Sequence, residues 1–194
     1  MDYPLKLSFK IWTFVPQFTI SDVNDNPVYY VRQKIFKLRE KISVFKTNQR
    51  ENQLYTINAD RIIDFSAKYH FTDMQQQYLG SVKRKGLKSL WRAHYLLFDG
   101  EQEVGTIREE SVFVRFMDNL FSSIPVIGLC AGYLFHPTYV IRRMDGTEIM
   151  RIRKTPALFE GKFIIEKFAE LSDQEEKRCL LGLMMMVLLE RARG

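Results

Sequence analysis

Gly128-Leu129-Cys130-Ala131-Gly132 has the G-x-C-x-G form of a nucleophile elbow, and His136-Pro137 follows six residues after the cysteine. A thiol and an imidazole so placed could support acyl transfer, given a sharp strand-to-helix turn and backbone N–H groups ready for an oxyanion. Other residues suggest other chemistry. Asp22, Asn24 and Asn26 alternate as at the start of a calcium loop, and His70, His94 and His136 are candidate metal ligands. Lys83, Arg84, Lys85, Lys88 and Arg92, with Trp91 among them, form the densest positive charge in the chain. Arg142, Arg151 and Arg153 add a second basic group on either side of Asp145-Gly146. Cations in such density suit an anionic ligand.

Whether any of this chemistry is possible depends on the elements that carry it. Most of the chain reads as short strands joined by hairpins. Asp99-Gly100 and Asp145-Gly146 lie between apolar-rich runs, where Asp-Gly accommodates the positive φ angles of a tight turn. Residues 95–108 and 139–153 share a rhythm of strand, Asp-Gly, acid, strand and Ile-Arg, and residues 41–59 repeat it more loosely. Further strands are expected near 5–12, 18–23, 27–32, 67–73, 78–84 and 158–168, which together make an antiparallel meander. Phe113, Phe116, Met117, Leu120 and Phe121 recur at helical spacing and predict an amphipathic helix near 111–123, packed on the sheet.

The last segment carries the most information. Ser172 and Glu175 form an S-x-x-E capping box, and from Cys179 to Leu189 every residue is apolar or glycine. Those residues make three helical turns with no polar face, so the helix must be buried on every side. Eleven residues rise only roughly 16 Å, against about 30 Å for the hydrocarbon core of a bilayer. The surroundings must therefore be protein. A curved or closed β-sheet is the container this requires, with Gly182 allowing close approach of a strand.

Antiparallel hairpins ending in a wholly hydrophobic helix resemble the tubby C-terminal-like fold, and within it the bacterial relatives of the plant LURP-one family. The segments that carry the resemblance are "LLFDGEQEVGTIREE", "IRRMDGTEIMRIRKTPALFEGKFIIE" and the closing "LLGLMMMVLLE". It spans roughly residues 27–192 and implies a mainly β fold, a closed antiparallel β-barrel of about twelve strands threaded by its last helix; neither catalysis nor a cofactor is expected. Tubby proteins bind phosphoinositide head groups through basic residues on the barrel. The resemblance thus implies an anionic lipid as the class of ligand.

Composition agrees with one globular domain over 1–194: 46% of the residues are hydrophobic and 27% charged. The two cysteines, Cys130 and Cys179, both lie in apolar runs, as reduced and buried thiols of a cytoplasmic protein would. Residues 1–97 hold 16 Lys/Arg against 8 Asp/Glu, a net +8, whereas residues 98–194 hold 13 against 15, a net −2.

The cysteine motif resembles the turn of class I glutamine amidotransferases, but those enzymes need a parallel α/β sheet and a His-Pro-Glu far downstream. Here Thr138 follows His136-Pro137, and the expected sheet is antiparallel. No catalytic role is expected for Cys130. The histidines lack metal-ligand spacing. The calcium-like run places Pro27 and Gln33 where glycine and glutamate belong, so it reads as a polar turn and no metal is expected. The expected binding residues are Lys83, Arg84, Lys85, Lys88, Arg92, Arg142, Arg151 and Arg153. Alternation along a strand puts Lys83 and Lys85 on one face and Arg84 on the other. The expected partner is an anionic lipid head group at the cytoplasmic membrane surface. The alternatives are a nucleic-acid-binding or regulatory role for the basic half, and charges that only solvate a barrel.

Overall fold

The computed structural model of the chain describes residues 1–9, 16–34, 41–48, 51–61, 67–85, 93–110, 137–155 and 161–191. Its first six strands are β1 (Leu5–Phe9), β2 (Gln17–Ser21), β3 (Pro27–Lys34), β4 (Lys41–Phe45), β5 (Gln53–Ala59) and β6 (Lys68–Asp73). There follow β7 (Tyr78–Arg84), β8 (His94–Asp99), β9 (Gln102–Glu109), β10 (Thr138–Arg143), β11 (Glu148–Thr155) and β12 (Lys162–Lys167). The helix α1 (Asp173–Arg191) comes last. Each strand pairs antiparallel with the next, and β1 closes the barrel on β12 with Leu5 opposite Ile165 and Ser8 opposite Lys162. The expected twelve-stranded antiparallel barrel around a C-terminal helix is thus present. The amphipathic helix expected near 111–123 lies outside the described residues.

The strands close because one face of each is apolar. Leu5, Leu7 and Phe9 of β1 point inward while Lys6 and Ser8 alternate with them, and Phe18 and Ile20 continue the same face on β2. Side chains alone fill an eight-stranded barrel, and a larger one leaves a lumen. In a twelve-stranded barrel a helix about 10 Å across can occupy that lumen. Every residue of α1 from Arg178 to Leu188 is buried. Fully burying one Leu, Met or Val side chain stabilises the fold by about 1.5–3 kcal/mol, which the unfolded helix could not recover in water. Gly182 faces the wall as expected: a Cβ there would fall 2.6 Å from Leu97 Cδ2 and 3.4 Å from Ile107 Cδ1.

Polar contacts hold both ends of the helix in register with the wall. At its start, the Ser172 hydroxyl accepts from the Glu175 N–H at 3.2 Å, the serine half of the expected capping box. Arg143 at the end of β10 donates to both oxygens of Glu175, at 2.7 and 2.8 Å. The Tyr3 hydroxyl donates to Glu176 at 2.8 Å, and Lys167 lies 3.4 Å from the same oxygen. One turn in, the buried Arg178 donates to the Leu79 carbonyl at 2.9 Å and pairs with Asp99 at 2.5 Å. Gly80 makes room for it. A Cβ there would stand 2.6 Å from Arg178 Nε, and its φ of 134° is one that side chains avoid. At the other end of α1, Glu190 accepts from the Tyr95 hydroxyl at 2.5 Å and lies 3.6 Å from Arg84.

The turns at the Glu175 end differ in detail from the Asp-Gly reading. After β10 the Arg143 N–H donates to the Thr147 carbonyl at 2.9 Å, so the loop is Met144-Asp145-Gly146, with Gly146 at φ 91°. The Gly146 N–H donates to the Arg143 carbonyl at 3.0 Å, so Met144 and Asp145, not Asp145 and Gly146, are the central turn residues, and the Asp145 carboxylate accepts from the Thr147 N–H at 2.8 Å. After β8 the loop is Gly100-Glu101, and Gly100, at φ 59°, holds the first central position. The glycine was the signal in both cases. The aspartate at 145 caps its loop.

Met185 is fully buried in the centre of α1. Met185→Lys should leave no soluble, cooperatively melting protein, because a buried unpaired charge costs several kcal/mol of a total of about 5–15. The Arg143 hydrogen bonds hold the Glu175 carboxyl below its ordinary value of 4.5. A depressed carboxyl stabilises the fold above its unfolded pKa, and the contribution is lost as pH falls through the folded value. Glu175→Gln should therefore lower Tm at pH 7 by about 1–4 °C, as a half-exposed pair would. Melting curves should show that gap closing as pH falls below about 4.5.

Candidate anionic-ligand surface

The outer wall at β7, β8 and β9 is built by strand alternation. Val82 and Arg84 point inward from β7, and Tyr95 and Leu97 from β8. This turns Lys83, Lys85 and His94 outward. Register then sets the neighbours: Arg108 of β9 stands opposite His94, Lys83 opposite Leu96, and the Lys85 N–H donates to the His94 carbonyl at 2.9 Å. Lys85, His94 and Arg108 therefore form one row across three strands, with Lys83 one step below.

His94 is held neutral in this row. Burial first, then the charges of Arg108 and Lys85, push its pKa down to about 4. Its Nε2 accepts from Arg108 Nε at 3.1 Å, a contact a protonated imidazole could not make. Among the described residues no carboxylate lies within ion-pair distance of Lys83, Lys85 or Arg108.

The remaining sequence-derived binding residues fall in three groups. Arg84 sits inside the barrel, 6% exposed, its guanidinium 5.6 Å over the Tyr95 ring and its partner Glu190 on the helix. It is therefore turned away from Lys83 and Lys85. Arg142, Arg151 and Arg153 are on the outer wall, since Ile141, Met150 and Ile152, which alternate with them, are fully buried. All three have carboxylate partners. Arg142 pairs with Glu148 at 3.2 Å, Arg151 with Glu148 at 2.8 Å, and Arg153 with Glu166 at 3.1 Å. Lys88 and Arg92 lie outside the described residues, as do Trp91, Cys130 and His136.

Sequence reasoning does not find Arg108. Counting outward from the Asp99-Gly100 turn brings it level with His94, but only once the bulge between Leu97 and Phe98 is included. The calcium-like run is a turn, as expected. Asp22 Oδ1 accepts from the N–H groups of Asn24 and Asn26, each at 2.9 Å, and Oδ2 accepts from the Asn26 amide at 3.1 Å. Among the described residues no group of His, Cys, Asp and Glu is placed to hold a metal. Cys179 is buried beside the helix cap, and burial pushes its thiol up to about 12.

Charge also separates along the barrel axis. The hairpin turns around the start of α1 carry Asp22, Asp25, Asp73, Asp99, Glu101 and Asp145. Lys41, Lys83, Lys85, Arg108, Lys154 and Lys162 stand toward the opposite ends of the strands. Glu190 at that end is held by Tyr95 and Arg84, and Glu110 lies 3.7 Å from Arg151.

The class that the architecture defines is a closed antiparallel barrel threaded by an apolar helix. The sequence matches the LURP-one-related family over residues 28–154, well over half of the 194 residues, and the chain belongs to that family. Membership fits a non-catalytic barrel protein. No curated protein and no solved structure matches the chain.

Removing Arg108 takes away a cation and a donor from His94, while burial, the larger cause of its shift, remains. In Arg108→Ala the His94 pKa should rise from about 4 toward the ordinary 6.5 without reaching it. An NMR titration of the imidazole measures this directly. An unmoved titration would show that Arg108 does not set the charge state of the row.

Proposed function

We propose that this barrel binds anionic phospholipid head groups at a membrane surface through the outer face of β7–β9. The observation that carries the reading is the set Lys83, Lys85 and Arg108: cations at the end of β7 and on β9, on either side of His94 of β8, without carboxylate partners among the described residues. Cations already saturated by Glu148 or Glu166 would have to exchange a partner to bind phosphate. These three would not. Phosphate recognition also gains from a neutral His94, which holds the Arg108 guanidinium in place without adding a negative charge.

Association would be peripheral. No described helix is long and apolar enough to cross a membrane. A spanning barrel presents an apolar outer band, whereas here the outward positions include Lys83, Arg108, Arg142, Arg151 and Glu166. The nucleic-acid alternative draws less support, because no exposed aromatic side chain stands beside the three cations among the described residues.

Each basic residue near an anionic surface contributes about 1 kcal/mol. The variant Lys83→Ala/Lys85→Ala/Arg108→Ala should therefore lose roughly a hundredfold in affinity for vesicles containing phosphatidylserine or phosphoinositide. Its Tm should stay near the parent value. Parent binding should weaken as salt rises and vanish on pure phosphatidylcholine. Equal binding by variant and parent would remove these residues from the site. Absence of parent binding at low salt would end the lipid reading.

A further inference from the structure

Val23, Met74 and Met144 hold the same position in three different hairpins. Each is the first residue of a three-residue loop. The loops are closed by the Asp22 N–H on the Asn26 carbonyl (3.0 Å), Asp73 on Gln77 (3.1 Å) and Arg143 on Thr147 (2.9 Å). Turn positions favour glycine, proline and small polar residues, so turn chemistry does not ask for bulky apolar side chains there. These three are 42%, 54% and 56% exposed, and Phe168, just after β12, is 56% exposed. With Met1 and Tyr78 they are the large hydrophobic side chains exposed among the described residues, and all lie at the acidic end of the barrel. Single exposed hydrophobics scattered over a surface need no explanation; their gathering at one end does.

Three of them follow one another along the rim. The strand order β3-β2-β1-β12-β11-β10 carries the Val23 turn, Phe168 and the Met144 turn in succession. The Val23 N–H donates to the Asp2 carbonyl at 3.3 Å, which ties the first turn to the start of β1. Four cations of this region are consumed in ion pairs, while Lys46, exposed after β4, has none among the described residues. Lys6 pairs with Asp25, Arg143 with Glu175, Lys167 with Glu176 and Lys177 with Asp173. Glu103, Asp145 and Glu170 remain as exposed carboxylates without an ion pair among the described residues.

We infer that this rim is a docking surface for a cationic polypeptide segment that carries bulky apolar side chains. The charge selects the partner's sign, since an acidic rim repels anionic lipid and attracts Lys and Arg. The tips supply the contact. Methionine is flexible and polarisable, and suits surfaces that accept side chains of varied shape. The surface is at the opposite end of the barrel axis from the basic strand ends, so failure of the vesicle experiment leaves it standing.

The test is calorimetric titration of the full chain with a synthetic Lys/Leu amphipathic helical peptide and with its Glu/Leu counterpart. The Lys/Leu peptide should bind and the Glu/Leu peptide should not. In Val23→Ser/Met144→Ser/Phe168→Ser the affinity should fall roughly tenfold or more with Tm nearly unchanged. A second variant, Glu103→Gln/Asp145→Asn/Glu170→Gln, should also bind more weakly and lose much of the salt dependence. The change Asp145→Asn keeps a side-chain acceptor for the Thr147 N–H, so the loop retains its cap. No binding of the Lys/Leu peptide, or undiminished binding by both variants, would overturn the inference. So would phosphatidylcholine-vesicle binding that the serine variant abolishes, which would make the tips a lipid contact. Concentration-dependent self-association lost in that variant would overturn it too, by assigning the rim to a second copy.

Discussion

A helix with no polar face is stable in water only inside something else, and the rest of this molecule depends on that condition. The buried run from Arg178 to Leu188 sets the width of the container, and twelve strands supply a lumen of that order. Closure follows from the same demand, because an open sheet would leave one side of the helix wet. It also removes the two sheet edges that would otherwise invite pairing with another chain. Where the fit is closest, the structure uses glycine: Gly182 on the helix meets Leu97 and Ile107, and Gly80 on the wall meets Arg178.

An apolar rod in an apolar tube has little to fix its depth or rotation, since dispersion and hydrophobic contacts are non-directional. Polar contacts at the ends provide that definition. Arg143, Tyr3 and Lys167 grip the acids of the first turn, Arg178 reaches across to Leu79 and Asp99, and Tyr95 with Arg84 holds Glu190. Acids at the start of α1 also suit the positive end of its dipole. The same acids join those of the hairpin turns. The helix and its container are therefore charged in the same sense along the axis, negative where the helix begins.

That axial polarity reorganises the functional reading. Along the chain, charge separates by halves, +8 and −2, and this suggests a basic half that binds. In the barrel the halves are wound together. Each strand contributes to both ends, and basic strand ends come from β4 and β7 as well as from β11 and β12. The cations that matter for an anionic ligand are those whose cross-strand neighbours leave them unmatched, which is a property of register. Arg153 and Lys83 look alike in the sequence, yet only the first has a glutamate within reach on the neighbouring strand, the diagonal Glu166 at 3.1 Å.

The container and its content are legible along the chain. Period-two strands with Asp-Gly signals predict antiparallel hairpins. The apolar run from Cys179 predicts a helix enclosed on all sides, because hydrophobic patterning is a local property that can be counted residue by residue. That Lys83 and Arg84 face opposite ways is equally local, since alternation needs only the strand. Pairing, by contrast, exists only in three dimensions. The burial of Arg84 beside Glu190, the arrival of Arg108 beside His94 through a bulge, and the gathering of Val23 and Met144 at one end all join residues far apart in the chain. Such meetings depend on register, on bulges and on the closure of β1 against β12. A single added residue in a strand shifts which side chains meet and which face they take, and no local pattern records that.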